Sequence, residues 1–285
     1  SNVTLILNFP PSDWNKIKIF GNVTVVGFPF FEVSDIPHEY QESLDIPNLF
    51  WVASNYNFEI LKKYTSKKIN QINLPLVSKF ASGTNSALNI DSITNNFKIL
   101  SVVSNWNRKD IGSVIKSYLR AFSVKDNTTL ILKIPKLQKT NVNKFIAQSV
   151  YPEFNLNDKN IPNILVIYDH LNDEEMNGLY SQVDCYVSCE RAKGFDLPSA
   201  QAMYSEVPTV GIKYSANTDF MNNKNSFLIE PNNNLIHAED SHYNAGSTHL
   251  YSGSEWASFS IDEVSQKLKY IYKNQKNAKK ILKKG

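Results

Sequence analysis

The sequence predicts an α/β protein whose C-terminal part is a doubly wound parallel sheet and whose N-terminal part is a shorter unit of the same kind. Three observations carry this. From Lys98 onward, short apolar runs alternate with segments of helical periodicity. Residues 1–80 repeat that grammar with fewer members. A Ser-, Thr- and Asn-rich stretch from Pro75 to Asn96, without sustained periodicity, separates the two. Nearly continuous apolar strands alternating with helices indicate parallel strands covered on both faces.

In order along the chain, strands are expected at Val3 to Asn8, Val23 to Phe28, Leu49 to Val52 and Ile69 to Asn73, with helices at Pro37 to Ser43 and Asn55 to Tyr64. Those are too few units for a complete doubly wound domain, so the N-terminal unit is read as incomplete. The second part offers strands at Ile99 to Val103, Leu130 to Ile134, Ile164 to Tyr168, Asp184 to Ser188, Thr209 to Ile212 and Phe227 to Ile229. Helices fit Ile111 to Phe122, Val142 to Gln148, Asp173 to Ser181, Pro198 to Ser205 and Thr218 to Met221. A final helix is expected from Ile261 to Tyr272, where Asp262 and Glu263 favour the positive first turn. The resulting division is an N-terminal domain over 1–80, a C-terminal domain over 95–272 and a basic tail over 273–285.

Composition narrows the class. A chain of 285 residues suffices for one large or two modest domains. Its 42% hydrophobic and 20% charged residues are an ordinary globular balance, which excludes a disordered or fibrous chain. The net charge of +3, from 30 basic against 27 acidic residues, gives no ground for a nucleic-acid partner. No apolar run reaches the roughly 18 residues that a membrane-spanning helix needs. The basic run from Lys273 to Lys284 has two readings, a solvated helix end or a peripheral contact with an anionic membrane surface. Cys185 and Cys189 supply neither a zinc framework nor a disulfide scaffold. Sequons at Asn2, Asn22 and Asn127 arise readily in a chain this rich in asparagine, so the default setting is reducing and cytoplasmic. The opening residues enter an apolar strand directly, without a charged-then-apolar signal pattern.

Ligands of open parallel sheets bind beyond the carboxyl ends of the strands, which directs attention to three loops. The first reads Ser104-Asn105-Trp106-Asn107-Arg108-Lys109-Asp110. A guanidinium and an ammonium beside a helix start suit a diphosphate, because both give charge-assisted bonds where free backbone amides also point. The same pair also reads as two solvated surface cations. The second loop, Cys189 to Met203, contains Gly194, which permits close backbone approach, and Pro198, which suits a first helical turn. The third, Tyr168-Asp169-His170, offers a ring with polar neighbours for a nucleobase; capping and packing would also account for it.

Several strings in these loops resemble the retaining GT-B glycosyltransferases of family 4, also called glycosyl transferases group 1. Lys193-Gly194-Phe195-Asp196-Leu197-Pro198-Ser199-Ala200-Gln201-Ala202-Met203 resembles that family's E-G-F-G-L-P-x-x-E-A-M. Val207-Pro208-Thr209-Val210 follows as the family's P-V-I strand does, and Tyr214 to Met221 with Asn225 to Leu228 resembles Y-S-G-N-x-D-F-M…N-S-x-L-V. Arg108-Lys109-Asp110 resembles R-K-G. Phe31-Glu32, Ile36-Pro37 and Trp51-Val52-Ala53-Ser54 resemble F-E…L-P…W-V-P-S of the later N-terminal domain. The family's opening strand and Gly-rich acceptor loop have no counterpart.

The resemblance implies two Rossmann-type domains facing a cleft, the N-terminal one on the acceptor side, the C-terminal one holding a UDP- or GDP-linked sugar. It implies transfer of that sugar to an acceptor whose class, glycan, lipid or protein, stays open. Arg108 and Lys109 are then the diphosphate ligands, with the Pro198 helix start assisting and no metal or other cofactor required. Gly194, Phe195, Leu197 and Gln201 fall on sugar and ribose positions, and Tyr168, Asp169 and His170 are the base-contact candidates. Two family glutamates eight positions apart correspond to Lys193 and Gln201. Gln201 still offers hydrogen bonds to a ribose hydroxyl, whereas Lys193 reverses a charge where an oxocarbenium-like transition state needs a carboxylate. Glu190 and Asp196 are the candidate replacement carboxylates, so Glu190, Lys193 and Asp196 form the expected catalytic set. The chain reads either as a transferase with an altered sugar end or as a catalytically impaired relative that holds a nucleotide, a sugar or another transferase subunit.

Overall fold

In a computed structural model that describes residues 3–76, 97–103, 108–136, 144, 146–154, 161–238, 251 and 253–282, the chain forms two parallel sheets and one short antiparallel ribbon. The first sheet contains β1 (Val3–Leu7), β2 (Val23–Gly27), β3 (Leu49–Val52) and β4 (Ile69–Gln71), side by side in sequence order. Between β2 and β4 lie α1 (His38–Gln41) and α2 (Asn55–Leu61). The core of this unit gathers Leu7, Trp14, Val25, Phe31, Phe50, Val52 and Leu61. Helix α2 starts where Ser54 caps the backbone NH of Asn57, satisfying one of the free donors of its first turn.

The second sheet comprises β5 (Phe97–Val102), β6 (Thr128–Lys133), β7 (Asn163–Ile167), β8 (Cys185–Val187), β9 (Thr209–Ile212) and β10 (Phe227–Ile229). Their spatial order is β7-β6-β5-β8-β9-β10 and every pairing is parallel. Counted within the sheet this is the doubly wound order 3-2-1-4-5-6, with the reversal of strand order falling between β5 and β8. Alternation along β5 and β6 feeds two cores. Ile99, Leu130 and Leu132 face α3 (Ile111–Ala121) and α7 (Ile261–Lys273), while Leu100 and Ile131 face the side of α5 (Asp173–Ser181) and α6 (Leu197–Tyr204). The four-residue helix between β6 and β7, α4 (Tyr151–Phe154), follows a π-helical turn over Ile146–Val150.

Most expected elements are present with ends shifted by one to three residues, the largest such shift being the end of α2 at Leu61 where Tyr64 is expected. Three differences are larger. The helix expected at Thr218 to Met221 is a 3₁₀ turn over Ser215–Asp219, and a second 3₁₀ turn spans Pro11–Lys16. A ribbon of β11 (Ile236–His237) and β12 (Glu255–Trp256) has no periodicity signal, being two residues per strand. The basic run continues as α8 (Gln275–Leu282) after a break at Asn274. Its buried face, Ala278 with Ile281 behind it, joins the core, so Lys276, Lys279 and Lys280 point outward. The expected linker beyond Leu76, the loop residues Ser104 to Asn107, much of the helix expected at Val142 to Gln148, and Lys283 and Lys284 lie outside the described residues. Among the described residues no helix is long and apolar enough to cross a membrane.

The segment after β2 carries the N-terminal unit onto the C-terminal one. Ser34 and Glu255 exchange two hydrogen bonds, at 2.8 and 2.9 Å, and Val33 packs with Ala192, Ala238 and Trp256. Ser54 donates to the Gly194 carbonyl at 3.1 Å, and the Asn55 NH donates to Asp219 at 2.7 Å.

Candidate functional site

The reversal of strand order opens a crevice above the carboxyl ends of β5 and β8, and the two loops that follow these strands meet there. The Arg191 NH donates to the Arg108 carbonyl at 2.8 Å, tying one loop to the other. Four cations and four carboxylates are thereby gathered. Arg108 reaches Glu190 at 2.9 Å and, across the crevice, Glu32 of the N-terminal unit at 2.9 Å. It also donates to the Ala192 carbonyl at 3.0 Å. Lys109 lies 3.2 Å from the other Glu190 oxygen, Arg191 pairs with Asp110 at 2.5 Å, and Lys193 stands 3.4 Å from Asp196. Tyr251 donates to the second oxygen of Glu32 at 3.1 Å.

Burial sets the electrostatics. It pushes the Glu190 carboxyl up, but Lys109 and Arg108 outweigh it and hold the group below its ordinary value of 4.5. For Asp196 burial prevails, and even with Lys193 opposite its carboxyl stays above the usual range. Arg108 is pulled down by burial and pushed further up by Glu32 and Glu190, so it is charged throughout.

Two of the carboxylates begin helices in the same way. Asp110 and Asp196 both adopt left-handed backbone, with φ of 42° and 80°, a region that Asp tolerates better than most residues. Each caps the helix it precedes, Asp110 accepting from the Ser113 NH at 3.0 Å and Asp196 from the Ser199 NH at 3.3 Å. At the start of α6, expected to face a diphosphate, Asp196 thus takes up one of the first-turn amides, that of Ser199.

The expected site residues divide into groups. Arg108, Lys109, Glu190, Lys193 and Asp196 form one connected charge network. The side chains of Lys193 and Asp196 are 1% and 0% exposed, beneath the crevice rather than in it, and that of Glu190 is 7% exposed. Gly194 is pressed against the N-terminal unit: a Cβ there would lie 2.9 Å from that of Phe30. Phe195 packs against Phe220, Leu197 is exposed and Gln201 is half-buried on α6. Tyr168 packs on the α3 side of the sheet and Asp169 is exposed, while His170 turns to the other face. There it helps to line a cavity of about 220 Å³ with Val102, Lys109, Lys133, Leu171 and Met176. A second cavity, also about 220 Å³, lies beyond β1 and β2 and is walled by Phe9, Phe28, Phe30, Tyr40 and Tyr251 with Glu32.

Glu32, Asp110, Arg191, Tyr251 and Lys133 were not among the expected site residues. Glu32 and Asp110 stood inside recognised strings and so were within reach of sequence reasoning. Tyr251 lies in a stretch without periodicity, and its meeting with Glu32 spans 219 residues of sequence.

No protein-family model and no curated protein matches the sequence. Solved structures do match the fold. Sucrose-phosphate synthase from Thermosynechococcus elongatus superposes with a TM-score of 0.69 at 11% identity, covering 98% of this chain and 68% of that one. TarM gives 0.65 at 14%, covering 99% and 50%. Anabaena HepE in complex with UDP and glucose gives 0.63 at 12%, covering 92% and 65%. The chain has the GT-B fold. It spans 65% and 50% of the length of HepE and TarM. The two sheets are thus the paired Rossmann-like units of that fold, and the crevice between β5 and β8 faces the gap between them.

Proposed function

We propose that the crevice binds the diphosphate of a UDP- or GDP-linked sugar and that the chain serves glycosyl transfer of the retaining, family 4-like kind. The observation that carries this reading is the position of Arg108 and Lys109. They sit side by side at the reversal of strand order, and Lys109 also lines the compact cavity toward β7. A ligand with an anionic diphosphate next to a planar ring matches that pairing of features. Cationic side chains supply the counter-charge, so the reading requires no metal. The acceptor, whether glycan, lipid or protein, would approach from the N-terminal unit, in a reducing cytoplasmic setting. The outward lysines of α8 would offer a peripheral contact with an anionic membrane.

A second reading, a chain that holds a nucleotide, a sugar or another transferase subunit without turnover, is favoured by the burial of Lys193 and Asp196. A carboxylate that is wholly covered and paired with an ammonium cannot stabilise charge developing on a sugar in the crevice. Glu190, nearly buried, is engaged by two cations.

Calorimetry with UDP and GDP in the absence of divalent ions tests binding. Both nucleotides should lose most of their affinity when Arg108→Ala and Lys109→Ala are combined; undiminished affinity would remove the diphosphate assignment. Release of nucleoside diphosphate from a panel of nucleotide sugars then separates the readings, turnover supporting the transferase and binding without turnover supporting the impaired relative.

A further inference from the structure

The cavity beside Lys109 contains a group that the diphosphate reading leaves unused. Lys133 is the last residue of β6 and projects from the same face of the sheet as Ile131, toward α5. It lines the cavity with Val102, Leu171 and Met176 as its apolar neighbours. Among the described residues its ammonium makes no hydrogen bond or salt bridge, whereas Lys109, the other cation on the cavity wall, is engaged by Glu190. Burial pulls the Lys133 pKa down, and Asp169 offsets part of that by favouring the charged form. Asp169 itself is exposed and does not line the cavity.

A half-buried lysine that makes no hydrogen bond among the described residues, with only the exposed Asp169 acting on it electrostatically, can donate to an incoming acceptor, because its ammonium has three N–H bonds and no lone pair. Resting on the nucleotide reading above, we propose that Lys133 selects the base of the bound nucleotide, accepting bases with a keto group at the recognised edge and rejecting those with an amino group there. Uracil and guanine present a carbonyl oxygen where cytosine and adenine present an amino group. An ammonium donates to the former and meets donor against donor in the latter. His170 lines the same cavity but is exposed, so it does not hold a fixed donor toward the ring. The apolar walls give either ring a face to stack on. They leave the choice to the polar edge.

The test compares two pairs of nearly isosteric ligands, UDP with CDP and GDP with ADP, by calorimetry on the full chain. Wild-type protein should favour the keto member of each pair about tenfold, the value of one hydrogen bond to a charged donor. Lys133→Met keeps length and apolar volume without the ammonium and should bring both ratios close to one, while inorganic pyrophosphate affinity stays within about twofold of wild type. Lys133→Arg, which restores donors, should keep the preference. Equal loss for all four nucleotides and pyrophosphate would overturn the proposal by making Lys133 a general field on the diphosphate. Unchanged ratios in Lys133→Met would overturn it as well. Failure of wild type to bind any nucleotide would instead remove the reading beneath it, and the proposal with it.

Discussion

Replacing Glu190 with glutamine should tighten nucleotide binding while weakening the fold. In the free protein the Glu190 carboxylate occupies both cations of the proposed diphosphate site, at 2.9 Å from Arg108 and 3.2 Å from Lys109. An incoming diphosphate must share or displace it. At an effective dielectric of about 20, like charges roughly 7 Å apart repel by about 2 kcal/mol. Screening in an open crevice reduces this to about 1–2 kcal/mol, so removing the Glu190 charge should improve UDP or GDP affinity about tenfold. Glutamine keeps the size and one acceptor. Arg108 retains Glu32, and Lys109 is partly hydrated, so the loss of stability should be about 1–3 kcal/mol, below the penalty for stranding a fully buried charge. Calorimetry at low salt measures the first effect and urea unfolding the second. Unchanged or weaker nucleotide affinity in a folded Glu190→Gln protein would refute the competition argument, showing that the carboxylate organises the cations instead of opposing the ligand.

The same carboxylate sets a pH dependence. Its folded pKa lies below 4.5, so the stability it contributes is complete above that value and is lost as pH falls through the folded pKa; wild type and Glu190→Gln should converge in acid unfolding. Lys193→Met should destabilise the chain by about 3–5 kcal/mol by leaving Asp196 buried and unpaired, and Lys193→Met with Asp196→Asn should recover most of that in a urea double-mutant cycle. Gly194→Ala should cost about 1–3 kcal/mol, because its methyl group meets Phe30 at 2.9 Å. Proteolysis around residues 28–36 should accelerate as that contact loosens.

The alternation of apolar strands and helices made the C-terminal sheet legible, since strands buried on both faces announce themselves as continuous runs such as Leu130, Ile131 and Leu132. The order β7-β6-β5-β8-β9-β10 follows from that pattern only with the right-handed crossover rule. Arg108 and Lys109 were legible as cations beside a helix start. Their neutralisation by Glu190 was not, because that pairing spans 82 residues and depends on which way a loop side chain turns. Lys133 was hidden for a different reason: a lysine ending a strand reads as a solvated strand end, and only the packing of α5 against the same face encloses it. Tyr168, one residue beyond the end of β7, packs on the face opposite His170. Loop residues two positions apart thus ended in different environments.

The departures from the family strings are connected to one another. Where the strings carry glycine, this chain has Asp110 and Asp196, and both keep the left-handed backbone that glycine would supply. Each adds a carboxylate at a helix start, favourable at the positive end of the helix dipole. Each also has a cation from the Glu190 loop against it, Arg191 for Asp110 and Lys193 for Asp196. Lys193 is therefore more than a reversed charge at a glutamate position. It is half of a buried pair whose other half, three residues later, stands where the resembling string has glycine. Restoring glutamate at 193 alone would set two carboxylates against each other beneath the crevice, and restoring glycine at 196 alone would strand a covered ammonium. Only the joint change Lys193→Glu with Asp196→Gly returns the family arrangement without an unpaired buried cation. On the proposed reading, a test of whether the pair limits turnover therefore begins from the double variant, with Gln201→Glu added to it. If the Lys193–Asp196 pair is what blocks transfer, donor hydrolysis should emerge in the double or triple variant and in neither single one. Hydrolysis by the unmodified chain at a rate equal to the triple variant would show instead that the buried pair does not limit the chemistry.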